Sequence, residues 1–335
     1  MNYRVKLITV LFLSVFLLNS CFTNHKKNVN VGLLIHSFDS ERWENDRDYF
    51  VNRVEELGGS VMVEVADNDA DKQLEQAKSL LAKGAEILVV IPVDQFAAAE
   101  IVKEAHAREV KVISYDRLIK NCKLDFYVST DNVKIGELQA NYLTRIKPVG
   151  NYAIVGGAKT DNNSIFLALG QMNELAPLIE KGDIKVVYNE FTNEWSEEEG
   201  YDHVNKILNM GEEIDAIIAG NDAIAMGAIK ALRETGKEGD VLIAGMDADL
   251  ENLQEIVAGH QTCTVYKPYE KLATTAAELA IKLGRGEESE KTFQTISNGE
   301  RLVPAVFHDG MIVNRENLKL TVISEGYQKE EEIYK

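Results

Sequence analysis

The sequence predicts an α/β protein built from two lobes of similar design, each a parallel sheet flanked by helices. Apolar, strand-like runs alternate regularly with amphipathic helical patterns along most of the chain. The runs are apolar at nearly every position, which is typical of parallel strands that are buried on both faces. The chain has 335 residues, enough for two domains of ordinary size, each with its own core.

The first series of strands and helices fills roughly the first third of the chain. Its predicted strands are residues 29–35, 60–66, 85–92 and 110–115. Helical patterns occupy the intervals, and Gly58-Gly59 is a good C-terminal signal for the first helix. Asp67 to Asp71 supplies N-capping side chains for the second helix.

A second series begins near residue 132. Its predicted strands are residues 151–157, 184–190, 214–220 and 240–247. A strand-like segment over 262–267 follows, then a helix opened by Pro268 and one last extended segment over 303–313. The returning strand and helix indicate that the chain crosses between the lobes more than once.

The first twenty residues precede the fold. They have a basic start, Arg4 and Lys6, followed by an apolar run over 7–18. A helix over that run reaches about 18 Å, which is short of the roughly 30 Å hydrocarbon core of a bilayer. We therefore expect a signal peptide over residues 1–20 and not a membrane span.

Cys21 directly follows this segment. Small residues before a cysteine in such a place resemble the lipobox of bacterial lipoproteins, so we expect cleavage before Cys21 and a lipid on its sulfur. The alternative is an ordinary signal peptide in which Cys21 is incidental. Residues 21–28 are predicted to be a short polar tether.

Charge and cysteine content limit the possible partners. The formal net charge is −18, which argues against a nucleic-acid partner because a phosphate backbone requires a basic face. Cys122 and Cys263 are far apart in sequence and have no metal-ligand spacing. A disulfide between them is possible in an oxidising compartment, but we favour two separate small apolar side chains.

Motifs that would indicate catalysis or metal binding fail on inspection. Residues 156–160, Gly-Gly-Ala-Lys-Thr, lack the glycines of a phosphate-binding loop. Residues 67–78 begin like a calcium loop, but lysines stand at the places of its obligatory Gly and Glu, so helix capping is the better interpretation. No nucleophile has an evident base. We therefore expect no enzyme, no metal site and no cofactor.

Acids, amides, cations and both tryptophans of the chain follow the predicted strands. Ligands of open parallel sheets bind at the carboxyl ends of the strands, so these residues are candidates for a binding site. They are Arg42, Trp43, Asp116, Arg117, Asp161, Asn163, Trp195, Asn221, Asp247 and Lys267, with Asn162, Asp222 and Asp249 beside them. Such groups suit a neutral sugar, whose hydroxyls donate and accept hydrogen bonds and whose ring packs on tryptophan. The alternative is that each Asp or Asn only caps a helix, which explains Asp116-Arg117 least well.

Several sequence blocks carry a resemblance to a known family. They include ERWENDRDYF (41–50), YDRLI (115–119), GMDADL (245–250) and QTCTVYKP (261–268). The chain from about residue 29 to about 329 resembles the periplasmic sugar-binding proteins of the ribose/galactose type, in particular the xylose-binding branch that serves bacterial ABC transporters. The resemblance implies two Rossmann-like lobes, the type I arrangement, joined by three hinge crossings with sugar in the cleft.

The resemblance also implies boundaries and roles. The N-terminal lobe would comprise residues 29–131 and 265–306, the C-terminal lobe 132–264 and 307–328, and the tail 329–335. The ten candidate residues would contact the sugar, with Trp43 and Trp195 on either side of its ring. Residues 35–39, Ile-His-Ser-Phe-Asp, depart from the acidic stretch typical of the family before the Arg-Trp pair.

The function implied is that of a non-enzymatic receptor, lipid-anchored at Cys21 outside the cytoplasm, for D-xylose or a related monosaccharide. It would deliver the sugar to the permease of an ABC transporter. A second hypothesis is that the sugar-bound form is read by a membrane sensor histidine kinase. A transcription repressor shares the fold but needs a helix-turn-helix at the place that the signal peptide occupies, so we exclude it.

Overall fold

The computed structural model describes residues 27–287 and 294–335. The predicted signal peptide, the lipidation site Cys21 and most of the predicted tether lie outside the described residues. No helix of the described ranges combines the length and the apolar composition needed to span a membrane.

Strands and helices alternate along both described ranges. The strands are β1 (Asn30–Ile35), β2 (Ser60–Val65), β3 (Ile87–Val90), β4 (Lys111–Tyr115), β5 (Phe126–Thr130), β6 (Gly150–Ala158), β7 (Ile184–Thr192), β8 (Ala216–Ala219), β9 (Leu242–Ala244), β10 (Thr264–Tyr266), β11 (Gln294–Ser297), β12 (Leu302–His308) and β13 (Met311–Val313). The helices are α1 (Glu41–Glu56), α2 (Ala70–Ala82), α3 (Ala99–His106), α4 (Asn132–Ile146), α5 (Asn162–Lys181), α6 (Glu197–Asn209), α7 (Asp222–Glu234), α8 (Leu250–Ala258), α9 (Tyr269–Gly284) and α10 (Glu330–Ile333).

The larger sheet has the strand order β11-β12-β5-β4-β3-β1-β2. All neighbours pair in parallel except β11 with β12, which are antiparallel. Leu33 contributes to a core under α1 and α9, whereas Leu34 contributes to a second core under α2 and α3. Burial on both faces explains the continuous apolar runs of these strands. We call this sheet with α1, α2, α3 and α9 the first lobe.

The smaller sheet has the order β7-β6-β8-β9 and is parallel throughout. Its faces are covered in the same manner, with α6 and α7 packed on one core and α4 and α5 on the other. We call this sheet with α4 to α7 the second lobe. The predicted α/β architecture of two parallel-sheet lobes is therefore present. The positions of the lobe boundaries along the chain stay a prediction.

The extended segment predicted over 303–313 is two strands and not one. Strand β12 pairs in parallel with β5 of the first lobe, whereas β13 pairs antiparallel with β10. Asp309-Gly310 separates them, and a side chain on Gly310 would meet Val265 and Ile135 within about 3 Å. Strand β10 in turn lies beside the second lobe, because Cys263 forms a bridge with Ala244 at the end of β9.

The structure also bears on the predictions for the cap of α2, the two cysteines and metal binding. Asp69 caps α2 by accepting from the Lys72 amide at 2.9 Å, so capping is confirmed as the role of this stretch. Cys122 and Cys263 are both free and buried, as favoured. No group of three or more His, Cys, Asp or Glu side chains in the described ranges is arranged to hold a metal.

The C-terminal residues, predicted only as a tail, pack against α8. Ile333 is buried with Leu253 and Val322, and Gln254 donates to the Glu332 carbonyl at 2.8 Å. This packing brings the segment just before α10 to the region between the two lobes.

Candidate functional site

A cleft of about 1110 Å³ lies between the two lobes, at the carboxyl ends of their strands. The ten residues predicted from the sequence all line this cleft, together with residues that were not predicted. Their placement in one cleft is a fact of the structure, and their role in binding a ligand stays a prediction.

Arg42 and Trp43 project from the first turn of α1. Ser40 caps this helix by accepting from the Arg42 amide, which fixes the start of the helix at the edge of the cleft. Both side chains are buried, at 4% and 6% exposed. The Arg42 guanidinium carbon lies 4.1 Å from the centroid of the Trp43 ring, so the cation covers part of the indole face.

A compact cluster of buried charges forms the centre of the site. Arg42 of the first lobe forms an ion pair with Asp116 and lies 3.5 Å from the Asp247 carboxylate, which follows β9 of the second lobe. The Lys267 ammonium lies 3.2 Å from Asp247 and 4.0 Å from Asp116. Two cations thus oppose two carboxylates, which limits the cost of removing them from water.

Asp116 is ionised at any physiological pH. Burial by itself would raise the pKa of Asp116, but Arg42 and Lys267 outweigh it and lower this pKa to about 2. Burial likewise opposes the charge of Arg42, and the surrounding carboxylates nevertheless raise the pKa of that group well above its usual value. Asp116 and Arg42 therefore both stay charged.

Both carboxylate residues of the cluster have an unusual backbone conformation. Asp116 has φ +58° and Asp247 has φ +108°, a region that residues other than glycine rarely adopt. At Asp116 the surrounding structure holds this conformation, because its carbonyl accepts from Tyr127 Oη at 2.8 Å and from Ser129 Oγ at 2.7 Å. In this conformation the Asp116 side chain, which directly follows β4, lies in the cleft.

Arg117 connects the lobes at a second point. Its Nε lies 3.0 Å from Asp161 Oδ2 of the second lobe, as an ion pair without hydrogen-bond geometry. Its Nη2 donates to His36 Nε2 at 3.1 Å and its Nη1 to the Pro92 carbonyl at 3.4 Å. The ion pairs Arg42–Asp247 and Arg117–Asp161 are therefore two separate contacts between the lobes.

His36 was not predicted, although it falls in the segment that departs from the family pattern. Arginine can only donate, so Nε2 of His36 must accept and the imidazole must be neutral. Burial, then Arg117 and Arg42, lower the pKa of His36 well below its usual value. His36 also contacts Trp43 edge-on, with ring centroids 4.5 Å apart.

Two of the predicted residues cap helices, as the alternative interpretation of the sequence expected, and both also line the cleft. Asp161 caps α5 by accepting from the Asn163 amide at 2.9 Å, and Asn221 caps α7 by accepting from the Ile224 amide at 3.0 Å. The Asn163 side chain donates to the carbonyl and to the carboxylate of Asp116, both at 3.2 Å. Burial raises the pKa of Asp161 against the influence of Arg117.

Asp222, beside Asn221, has a structural position behind the cleft wall. It is fully buried and accepts from Gln261 Nε2 and Thr264 Oγ1, each at 2.9 Å. Burial raises the pKa of Asp222 well above its usual value, and the nearby Asp249 adds to the shift. These bonds tie the start of α7 to β10.

Trp195 follows β7, and its indole lies against the end of β6. A side chain on Gly157 would come within 2.0 Å of the Trp195 ring, so the absence of a side chain there makes room for the indole. Trp43 and Trp195 thus belong to different lobes of the same cleft. Their stacking on the two faces of one sugar ring stays a prediction.

Other residues of the site were missed by sequence reasoning. Asp46 lies one helical turn after Arg42, 3.8 Å from its Nε, and accepts from Tyr115 Oη at 2.8 Å. This spacing of four on α1 was a usable signal. Tyr327 and Gln328 line the cleft from the C-terminal segment, where no motif pointed to them.

Comparisons with known proteins agree with one another. A family model described as periplasmic binding protein domain matches residues 31–288. The D-xylose-binding periplasmic protein of Haemophilus influenzae is 43% identical over 311 residues, covering 92% of this chain and 93% of that protein. The protein of the same name from Escherichia coli is 43% identical over 310 residues, covering 92% of this chain and 94% of that protein.

A solved structure of a sugar-bound solute binding protein has a similar fold. The carbohydrate transporter solute binding protein from Chloroflexus aurantiacus, in complex with D-glucose, matches with a TM-score of 0.84 at 27% identity, covering 91% of this chain and 98% of that one. These matches confirm the resemblance predicted from the sequence and the fold class. The family match and the two relatives also confirm that the chain is a binding protein and not an enzyme.

Proposed function

The chain belongs to the periplasmic binding protein family, and on that premise we propose that it is an extracytoplasmic receptor for D-xylose. The observation that carries the proposal is the buried cluster of Arg42, Asp116, Asp247 and Lys267 at the cleft. The two relatives named D-xylose-binding periplasmic protein, each 43% identical, support xylose above other sugars. Their names also support a location outside the cytoplasm.

A neutral sugar suits this cluster chemically. Carboxylates accept from sugar hydroxyls, and guanidinium and ammonium groups donate to them, so each charged group keeps a partner when a sugar is bound. We propose that Trp43 and Trp195 contact the apolar C–H faces of the ring. The cleft of about 1110 Å³ is slightly larger than the roughly 300–1,000 Å³ common for small-molecule sites, which leaves room for a monosaccharide and bound water.

Binding would be coupled to closure of the two lobes about hinge crossings. The ion pairs Arg42–Asp247 and Arg117–Asp161 already join the lobes directly. A sugar that bonds to Asp116 on one side and to Asp247 on the other adds contacts that exist only when both lobes are close. It therefore shifts the equilibrium towards the closed form by its additional affinity for that form.

Selectivity for a pentose would come from the walls of the cleft. A pentopyranose lacks the exocyclic CH₂OH of a hexose, so a wall at that place rejects the larger sugar. One such mismatch commonly costs about 1–3 kcal/mol. Met226, Met246 and Tyr327 supply bulky lining and are the proposed candidates for this wall.

We propose that a lipid on Cys21 anchors the receptor to the membrane and that the closed form delivers xylose to an ABC transporter permease. A sensor histidine kinase is the alternative reader of the same form. Neighbouring genes for a permease and an ATPase would favour transport, whereas genes for a kinase and a response regulator would favour sensing.

The proposal is tested by ligand-dependent stability. The chain without its predicted signal peptide is heated with a panel of pentoses and hexoses. D-xylose is expected to raise the melting temperature at the lowest concentration, with a stabilisation that grows as RT ln(1 + [L]/Kd). A larger shift with another sugar would replace xylose as the ligand, and no shift with any sugar would refute the proposal.

A further inference from the structure

A fully buried tyrosine at the start of α9 contacts one charged residue of each lobe. Tyr269 is 0% exposed, and its hydroxyl donates to Asp247, at 2.9 Å from Oδ1 and 3.1 Å from the carbonyl oxygen. Its ring centroid lies 4.4 Å from the guanidinium carbon of Arg42. Among the described residues, those that line the cleft do not include Tyr269. Any effect on a ligand must therefore be indirect, and Arg42 and Asp247 are the charged groups of the cleft that Tyr269 contacts.

The contact with Asp247 bears on a strained position. Because Asp247 has φ +108°, its backbone conformation must be held by surrounding contacts. The Tyr269 hydroxyl, shared between the carbonyl and carboxylate oxygens, fixes the side chain relative to its own backbone. It thereby determines the direction in which the carboxylate faces Arg42 and Lys267.

The contact with Arg42 holds the other side of the cluster. The guanidinium lies against two aromatic rings, that of Trp43 at 4.1 Å and that of Tyr269 at 4.4 Å. Cation–π contacts of desolvated arginine are favourable and depend on the ring and not on the hydroxyl. The two functions of Tyr269 can therefore be separated by substitution.

Tyr269 is itself held by other aromatic side chains. Its ring centroid lies 5.7 Å from that of Tyr266 and 5.3 Å from that of Tyr327. Tyr266 and Tyr327 are 4.9 Å apart, so the three rings form one cluster between β10, α9 and the C-terminal segment. This packing leaves Tyr269 little freedom to move away from Asp247.

We propose that Tyr269 is a positioning residue that aligns Arg42 of the first lobe and Asp247 of the second for the same sugar. Its hydroxyl orients Asp247, and its ring supports Arg42. This inference rests on the proposed sugar-binding function, which it extends to a residue outside the cleft lining.

The test is a graded series measured by calorimetric titration with D-xylose. Tyr269→Phe removes the hydroxyl and keeps the ring, and it is expected to weaken binding about tenfold. Tyr269→Leu removes both contacts and is expected to weaken binding about a hundredfold. Tyr266→Phe is the matched control in the same aromatic cluster, and its affinity should equal that of the wild-type chain.

Melting temperatures of the sugar-free proteins separate positioning from simple packing. A packing role lowers the melting temperature of both Tyr269 variants without changing the affinity of the folded fraction, and that result would overturn the inference. Equal losses of affinity for Tyr269→Phe and Tyr269→Leu would show that the ring of Tyr269 does not support Arg42, and would overturn that half of the inference. If the wild-type chain binds xylose while both variants bind it equally well, only this inference fails. If the wild-type chain binds no sugar, the proposed function fails first.

Discussion

The Nε atom of Arg117 lies 3.0 Å from the Asp161 carboxylate, and this buried ion pair joins the two lobes beside the cleft. Removing the arginine would leave the Asp161 carboxyl without its closest cation. Burial already raises the pKa of Asp161, so the carboxyl can take up a proton and limit the loss of stability.

Arg117→Ala is therefore expected to weaken D-xylose binding by about a hundredfold or more while the protein still folds. The substitution removes both the proposed charge-assisted hydrogen bonds from the guanidinium to the sugar and the ion pair that joins the lobes. Calorimetric titration measures the affinity, and circular dichroism measures the fold. Arg108→Ala, which removes an exposed arginine of the same lobe, is the control and should bind as the wild-type chain does. Undiminished affinity of Arg117→Ala would remove Arg117 from the site.

Asp46 should make stability depend on pH. Burial raises the pKa of Asp46 from 3.8 to about 7, against the influence of Arg42 and of the Tyr115 hydrogen bond. The folded state thus binds more protons than the unfolded state between about pH 4 and pH 7. Stability contributed by this residue falls as pH rises through that window.

Asp46→Asn removes the ionisation and should stabilise the protein more at pH 8 than at pH 5, by about 2 kcal/mol in the free energy of unfolding. Urea denaturation at the two pH values measures this difference. Asp48→Asn, an exposed carboxylate on the same helix, serves as the control. An equal effect of Asp46→Asn at both pH values would contradict an elevated pKa for Asp46.

Gly157 makes the room in which Trp195 lies, because an added side chain would meet the indole at 2.0 Å. Gly157→Ala is expected to displace Trp195, to weaken xylose binding about tenfold and to change tryptophan fluorescence, at a packing cost of about 1–3 kcal/mol. In a Trp195→Phe background the only remaining indole is Trp43. The substitution of Gly157 should then leave the fluorescence unchanged, and a persisting change would show that Trp195 is not the affected side chain.

Cys21 is proposed to carry the lipid anchor, and it lies outside the described residues. Cys21→Ala should abolish the incorporation of labelled fatty acid into the receptor, because residue 21 then has no sulfur to carry an acyl chain. Mass spectrometry of the wild-type N-terminal peptide should find a diacylglyceryl modification on Cys21. An unmodified cysteine there would indicate an ordinary signal peptide.

Much of the fold was predictable because strands buried on both faces have continuous apolar sequences. β11 escaped prediction because Gln294–Ser297 is mostly exposed and polar and becomes a strand only by pairing with β12 at the sheet edge. The division between β12 and β13 was also not predicted. The two strands pair with different partners, β5 and β10, and the local sequence carries no information about these long-range pairings.

The site was predictable where its residues follow strands, since the ends of parallel strands meet at one edge. Tyr269 begins a helix and Tyr327 belongs to the C-terminal segment, so neither residue directly follows a strand of the parallel sheets. Tyr269 lies beside Arg42, and Tyr327 lies beside Tyr269, only because of the way α9 and the C-terminal segment pack, which is a property of the whole fold.

The interleaving of the chain has a consequence for synthesis. The first sheet begins with β1 but contains β12, and its core includes α9, so it remains incomplete until about residue 308 has been made. Until then, the edge of β5 that pairs with β12 has no partner in the nascent chain. The first lobe therefore completes its sheet only after every strand of the second sheet has been made.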